Sequence, residues 1–234
     1  MRVDARTNRH HLVDNATKCE TARFATDANH GHKPPQLVEN LGMNVMRSHE
    51  LLSRRSSRLL IVDVQEKLVA ALPQKIHEPL IEACTLLCEG AKLLEVPITA
   101  TEQYPQGLGP TVASLANFTS DRPSKKKFSA VECTGWPTAG EAIDDRYQII
   151  VAGMETHVCV LQTVLDLLAS GYQTYVVIDA VAARRGIDHG VALERIANSG
   201  AVITTAESIL FEWCETAEAK EFKQISTLIK ARSV

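Results

Sequence analysis

The stretch that decides the fold is YQIIVAGMETHVCVLQTVLDLLASGYQTYVVIDA, residues 147–180. It opens with the apolar run YQIIVAG (147–153), which has the length of a buried strand. Apolar positions then recur at helical spacing over 156–171, and a glycine ends this segment. A second apolar run follows at 172–181. Strand, helix and strand in this order form the unit from which parallel sheets are built.

The same alternation continues on both sides of this stretch. The run LLIVDV (59–64) is apolar except for one carboxylate, which is typical of a strand covered on both faces. Further predicted elements are helices at 76–95, 140–145 and 188–200, and strands at 97–101 and 201–208. We therefore predict an α/β fold with a mainly parallel sheet and helices on both faces.

Composition and charge limit the partners. The chain has 234 residues, 25 basic against 28 acidic side chains and a formal net charge of -3. This balance gives no basic surface for nucleic acid or an anionic membrane, so we expect neither as a partner. The longest apolar runs fall well short of the roughly 20 residues of a membrane-spanning helix. Six scattered cysteines and the lack of a secretory segment favour a reducing, cytoplasmic location.

The two ends of the chain differ from its middle. Residues 1–45 mix charges, histidines and small polar residues without an apolar period, so we predict a disordered N-terminal extension there and one domain over 55–234. The tail 208–230 has apolar residues at helical spacing. It is interpreted as a helix packed on the sheet or, alternatively, as an interface between subunits.

Polar side chains follow several predicted strands at their carboxyl ends, where ligands of an open parallel sheet bind. The first strand delivers Asp63, the second Glu102–Tyr104, a basic loop Lys125–Lys127, and the turn before the next helix Cys159. A thiol in the first turn of a helix meets free N–H groups and the positive end of the helix dipole, which both favour thiolate. An acid, a cation and a nucleophile are thus predicted at one edge of the sheet.

The segments LLIVDVQEKLV, TEQYPQGLGPT, KKKFSAVEC and GMETHVCVLQTVLDLLASG carry a family resemblance. From Leu59 to Lys230 the chain resembles the isochorismatase-like cysteine hydrolases, and among them the isochorismatase domain-containing proteins. The resemblance implies a three-layer αβα sandwich with a six-stranded, mainly parallel sheet. It also implies a hydrolase that is a homo-oligomer.

The triad of that family carries over onto this sequence. The acid matches Asp63, and the nucleophile of the G-x-x-T-x-x-C pattern matches Cys159. The lysine stands three places before an aromatic-Ser-small motif, which selects Lys125 in KKKFSA. Side-chain alternation along an extended segment excludes only Lys126, so Lys127 stays open as a reserve.

The implied mechanism is attack of Cys159 on a small amide or a related C–N or ester bond, through a covalent intermediate that water hydrolyses. Backbone N–H groups of Glu155 and Cys159 are predicted to form the oxyanion hole. In relatives the peptide bond that corresponds to Met154–Glu155 is cis, and the resemblance implies the same here. Residues predicted to contact the substrate are Gln65, Glu102, Tyr104 and Phe128, although Glu102 alternatively braces its loop.

No metal or other cofactor is predicted. Nicotinamidase-type relatives bind a metal through an Asp-x-His pair and a further histidine, whereas this chain reads Glu102-Gln103-Tyr104 followed by PQGLG. A carboxylate and a phenol make a poor zinc or iron site. Two other classes of function stay open: a catalytically idle, oligomeric interaction protein, and a redox protein that uses Cys159.

Overall fold

One parallel sheet organises the chain. A computed structural model describes residues 47–232, and their strands are β1 (Ser57–Val62), β2 (Ile98–Gln103), β3 (Ser124–Lys125), β4 (Gln148–Met154), β5 (Gln173–Ala182) and β6 (Val202–Thr204). The spatial order is β3, β2, β1, β4, β5, β6, and every pair of neighbours is parallel. The predicted α/β fold with a six-stranded sheet is confirmed.

Helices cover both faces of this sheet. The α-helices are α1 (Glu66–Ala70), α2 (Gln74–Leu93), α3 (Pro105–Leu108), α4 (Ala113–Ala116), α5 (Val131–Thr134), α6 (Leu161–Ala169), α7 (Gly186–Asn198), α8 (Ala206–Cys214) and α9 (Phe222–Lys230). Helices α2, α8 and α9 pack on one face, and α6 and α7 pack on the other. These are the three layers that the family resemblance implied.

Two hydrophobic cores explain why the strands read as continuous apolar runs. Leu59 and Ile61 of β1 lie in the core under α2, while Leu60 and Val62 lie in the core under α6. Successive side chains of a strand point to opposite faces, so a strand covered on both sides needs apolar residues at every position.

The predicted helix over 140–145 is wrong. A single 3₁₀ turn at Ala139–Glu141 stands there, followed by irregular chain. Ile143, the one large apolar residue of the segment, is fully exposed. Without an apolar face to bury, a segment this short gains too little to form a helix.

Both ends of the described chain pack on the domain. The backbone N–H of Leu52, a fully buried residue, donates to the Glu212 carboxylate at 2.7 Å, so chain before residue 55 also contacts the domain. In the tail, Trp213 and Ile225 are fully buried. The tail therefore contains helices packed within the chain, and the predicted disorder over 1–45 lies outside the described residues.

The strand order changes direction between β1 and β4. At such a point the connections leave toward opposite sides, and a crevice opens at the carboxyl ends of the two strands. Asp63 directly follows β1, and Cys159 lies in the turn that follows β4. The topology thus brings together the ends of the chain segments that the sequence marked as chemically active. Among residues 47–232, no helix has the length and apolar character to cross a membrane.

Candidate active site

Asp63 directly follows β1 and is completely buried. Its φ of 51° is left-handed, a conformation that aspartate tolerates better than most residues. One carboxylate oxygen, Oδ1, accepts a hydrogen bond from the Thr101 hydroxyl at 2.7 Å. The other, Oδ2, accepts from the Lys125 ammonium at 2.6 Å. The carboxylate is therefore held at both oxygens by groups from neighbouring strands.

Lys125 is held at all three of its N–H groups. Its Nζ donates to Asp63 Oδ2 at 2.6 Å, to Gln103 Oε1 at 2.7 Å and to the Phe128 carbonyl at 2.8 Å. An ammonium has three hydrogens to donate, so these short bonds use them all. The side chain is only 3% exposed, whereas the Lys127 side chain is 75% exposed and pairs with Glu132. The structure thus brings Lys125, not Lys127, to Asp63.

Cys159 lies in a π-helical turn, Thr156–Val160, that we call the nucleophile turn. The regular helix α6 begins only at Leu161. The thiol is nearly buried, and burial and the Asp63 carboxylate raise its pKa to about 12 against the lowering effect of Lys125.

Burial and the Asp63 carboxylate therefore oppose the thiolate that the start of a helix favours. Desolvation of an anion and repulsion by a carboxylate outweigh the attraction of one ammonium. Instead of a pre-formed thiolate, the site holds a neutral thiol within hydrogen-bonding range of Asp63. Any nucleophile must arise by proton transfer at this position.

Gly153 explains how β1 and β4 approach so closely at the site. Its φ is 118°, and a Cβ added there would lie 2.1 Å from the Val62 carbonyl oxygen. Both the positive φ and the backbone contact exclude a side chain. The first residue of the G-x-x-T-x-x-C pattern is thus a close-packing position directly beside Asp63.

Several contacts fix the nucleophile turn. The Met154–Glu155 peptide bond is cis, as the resemblance implied. The Glu155 carboxylate accepts from the Arg184 backbone N–H at 3.2 Å and from its Nε at 2.9 Å. The Cys159 carbonyl accepts from the Thr163 hydroxyl at 2.6 Å. Glu155 and Cys159 thus both lie in anchored backbone, and their N–H groups stay the predicted oxyanion donors.

Two residues predicted to contact substrate are engaged by the protein instead. The Gln65 side chain is fully buried and bonds the backbone N–H and carbonyl of Gln103 and the Gly109 carbonyl. Glu102 accepts from the backbone N–H and hydroxyl of Thr111 at 2.8 and 2.9 Å. Both side chains therefore brace the loop after β2. For Glu102 this is the alternative that the sequence left open, and for Gln65 it corrects the prediction of a substrate contact.

Tyr104 and Phe128 have the exposure that a substrate contact requires. Tyr104 is 51% exposed and Phe128 is 50% exposed. The Tyr104 backbone N–H donates to the Lys125 carbonyl at 2.9 Å, and Phe128 lies three residues after Lys125 in the sequence. A pocket of about 410 Å³ opens beside Lys125, with Ser129 and Cys133 in its wall, but Tyr104, Phe128 and Cys159 are not among its lining residues. That volume is in the range of small-molecule sites.

Gln103 was noted only as a polar residue at the end of the second strand, with no role assigned, and Thr101 was missed as a site residue. Gln103 Oε1 accepts from Lys125 while its Nε2 donates to the Lys126 carbonyl at 2.9 Å, so one amide fixes both the ammonium and its loop. Thr101 supplies the hydroxyl on Asp63. A polar residue inside an otherwise buried strand was the available signal for both. Within residues 47–232, no group of three histidine, cysteine, aspartate or glutamate side chains is arranged to hold a metal.

Comparison with known proteins shows the family of this chain. The isochorismatase domain family matches residues 57–208, more than half of the chain. The chain belongs to the isochorismatase family. Isochorismatase domain-containing protein 2 of Bos taurus is 39% identical over 181 residues, which cover 76% of this chain and 85% of that protein. The secreted isochorismatase effector Isc1 of Phytophthora sojae is 40% identical over 183 residues, covering 75% of this chain and 85% of the effector.

Solved structures of the family show the same architecture. The MAR1 ribonuclease of Caenorhabditis elegans is 33% identical, with a TM-score of 0.69, and the match covers 77% of this chain and 92% of that one. The YcaC protein of Escherichia coli, described as an octameric hydrolase of unknown specificity, has a TM-score of 0.68 at 23% identity, covering 79% and 91% of the two chains. The family and the fold support a hydrolase.

Proposed function

We propose that this isochorismatase-like hydrolase cleaves a small amide, or a related C–N or ester bond, through a covalent intermediate on Cys159. The observation that carries the proposal is the buried Lys125–Asp63 ion pair at 2.6 Å, placed against a nearly buried thiol whose pKa both groups perturb. A buried ion pair beside a thiol contributes little to stability by itself, and strongly perturbed groups in a crevice are typical of functional sites.

The first half-reaction follows from these contacts. Asp63 takes the proton from Cys159 Sγ as the sulfur attacks the carbonyl carbon, and the carbonyl electron pair moves to oxygen. Backbone N–H groups at Glu155 and Cys159 stabilise this oxyanion. When the tetrahedral intermediate collapses, the C–N bond breaks and the protonated Asp63 gives its proton to the leaving nitrogen. An amine departs and a thioester remains.

The second half-reaction uses the same groups with water. Asp63 removes a proton from the water that attacks the thioester carbonyl, the C–S bond breaks, and the sulfur recovers a proton from Asp63. Lys125 acts by its charge in both halves. Its bonds to Asp63, Gln103 and the Phe128 carbonyl fix the ammonium where its charge balances Asp63 and the transient thiolate.

The alternative is an idle, oligomeric interaction protein. The burial of Lys125 argues against this alternative. Its ammonium is almost completely removed from solvent, which costs free energy, and a protein that only binds partners has no need for a buried ammonium. The Caenorhabditis elegans relative is named a ribonuclease, so RNA should be tested as a substrate as well. We propose a small-molecule substrate that contacts the exposed side chains of Tyr104 and Phe128.

Further proposals concern the setting of the reaction. We propose that the protein works as a homo-oligomer, without cofactor, nucleic-acid partner or membrane association. A cytoplasmic location is proposed as well, although the Phytophthora sojae relative is named a secreted effector. The disordered extension over 1–45 and a domain over 55–234 also stay proposals.

A substrate screen with adduct detection tests the proposed function. Wild type and Cys159→Ala are incubated with a panel of small amides and esters and with a short RNA, and product acids and intact protein mass are measured. Wild type should release acid and carry an acyl group on the Cys159 peptide, and Cys159→Ala should do neither. Hydrolysis by Cys159→Ala, or RNA cleavage without an adduct, contradicts the proposal. The matched control is Cys88→Ala, a buried thiol in the opposite layer.

A further inference from the structure

The segment that follows β5 holds the nucleophile turn at two adjacent residues. Arg184 bonds the Glu155 carboxylate, as described above. His189, in the first turn of α7, places its Nδ1 2.9 Å from the Thr156 hydroxyl. Helix α7 packs directly against the turn. Neighbouring backbone positions, three and four residues before Cys159, are thus each anchored by one side chain of this segment.

The bond between Thr156 and His189 depends on the protonation of the imidazole. Thr156 is completely buried, and within residues 47–232 its hydroxyl bonds to His189 alone. When the imidazole is neutral with its hydrogen on Nε2, the hydroxyl donates to Nδ1. A protonated imidazole has hydrogens on both nitrogens, so the Thr156 hydroxyl must accept and its own hydrogen loses its partner. A buried donor without a partner is costly.

Burial, and no neighbouring charge, favours the neutral form of the His189 imidazole. The ionisable side chains on the elements packed against it are Asp188, Glu194 and Arg195 of α7, Arg185 directly before that helix, Arg184, Glu155 and His157 on or beside the nucleophile turn, and Asp166 of α6. Burial lowers the pKa of His189, and none of these charges contributes to the shift. A pKa below the ordinary value of about 6.5 means that the imidazole is neutral at physiological pH.

We propose that His189 is a positioning residue for the nucleophile. Its neutral imidazole holds Thr156, and with it the turn that carries Cys159, and protonation of the imidazole releases this hold and slows hydrolysis. The inference rests on the proposed hydrolysis at Cys159. It adds to that reaction a dependence on the protonation of a residue outside the triad.

Two substitutions separate the hydrogen bond from the titration. In His189→Asn the side-chain amide oxygen branches from Cγ, like Nδ1, so it accepts from Thr156 but does not titrate. In His189→Leu the bond is lost. Near pH 7.5 we expect wild-type kcat for His189→Asn and a kcat about five- to tenfold lower for His189→Leu, the factor for one lost hydrogen bond. The matched control is His49→Asn, because His49 is exposed and lies on the opposite edge of the sheet.

The decisive measurement is kcat against pH from 5 to 8. Wild type and His49→Asn should lose activity as the pH falls and His189 takes up a proton. His189→Asn should not show this loss, because its amide does not titrate. Coincident profiles for wild type and His189→Asn overturn the proposal, and so does a wild-type kcat in His189→Leu.

A second readout does not need turnover. Backbone hydrogen exchange in the peptide over 156–160, corrected for intrinsic rates, should be about five- to tenfold faster in His189→Leu than in wild type at pH 7.5. In wild type it should rise on acidification to pH 5.5, and in His189→Asn it should not. If exchange behaves in this way but Cys159→Ala still hydrolyses substrate, the proposed function fails and the role of His189 stands. If Cys159 is essential but exchange is unaffected, His189 alone is wrong.

Discussion

Asp63→Asn should abolish hydrolysis and yet make Cys159 easier to alkylate. In the proposed mechanism the carboxylate is the proton acceptor, and an amide cannot replace it, so turnover should fall by about 10²- to 10⁴-fold. The same carboxylate is the second largest cause, after burial, of the raised pKa of Cys159. Removing its charge therefore favours the thiolate. Opposite effects on turnover and on thiol reactivity distinguish this role from general damage to the site.

The size of the effect on alkylation follows from the pKa of the thiol. With a pKa of about 12, roughly one Cys159 in ten thousand is a thiolate at pH 8. Two unit charges about 4 Å apart interact by about 4 kcal/mol at an effective dielectric of about 20, which gives an upper bound of about three pKa units. Because Lys125 offsets part of the Asp63 charge, we expect a fall of about one to two units and alkylation about 10 to 100 times faster.

The assay is peptide-mapped alkylation by iodoacetamide at pH 8, beside hydrolysis of the best substrate. Cys84 and Cys88 provide internal reference thiols, because Asp63 does not contribute to the pKa of either. Asp144→Asn is the matched control, since Asp144 pairs with Arg58.

Folding must be checked for Asp63→Asn, because Lys125 loses its carboxylate. Its bonds to Gln103 and Phe128 remain. We expect a loss of about 3–5 kcal/mol in the free energy of unfolding, so both assays run well below the melting temperature. Hydrolysis within tenfold of wild type, or slower alkylation of Cys159 in a folded variant, would refute the reasoning.

Three more predictions follow from the site. Lys125→Met should slow alkylation of Cys159 near pH 8 by about tenfold, because the charge that lowers the thiol pKa is gone; faster alkylation contradicts this. Gly153→Ala should lower the free energy of unfolding by about 1–3 kcal/mol, as its Cβ overlaps the Val62 backbone, whereas Gly140→Ala, in open space, should change it by less than about 0.5 kcal/mol in denaturant melts. Dialysis against a strong chelator should leave turnover unchanged, and elemental analysis should find well under one zinc or iron per chain; bound metal that is lost together with activity would overturn this.

The choice between Lys125 and Lys127 shows how far local pattern reaches. Both point the same way in an extended segment, so alternation excluded only Lys126. The tertiary structure separates them, because Asp63 and Gln103 come from β1 and β2 and meet the Lys125 side chain alone. Sequence spacing names candidates, and the partners on other strands select one.

Gln65 and His189 also show that a local sequence pattern does not reveal the hydrogen-bond partner of a side chain. A glutamine after the first strand was predicted to contact substrate, yet its amide bonds the Gln103 backbone and the Gly109 carbonyl across the loop. His189 carried no signal in sequence, since its partner Thr156 lies 33 residues away on another element. Hydrogen bonds between residues far apart in the sequence follow no period or spacing, so they cannot be predicted from a local sequence pattern.

The sequence by itself determined the layers, most of the strand and helix order, and the edge of the sheet where the chemistry lies, although it missed β3 and placed a helix wrongly over 140–145. These follow from apolar periodicity and from glycine stops, which act locally. Only the tertiary structure decided the surroundings of the Cys159 thiol. The start of a helix favours a thiolate, but the thiol lies in a π-helical turn, nearly buried and beside Asp63, and both burial and this carboxylate raise its pKa. The charge of a group depends on all the solvent and charges around it, and folding alone assembles that environment.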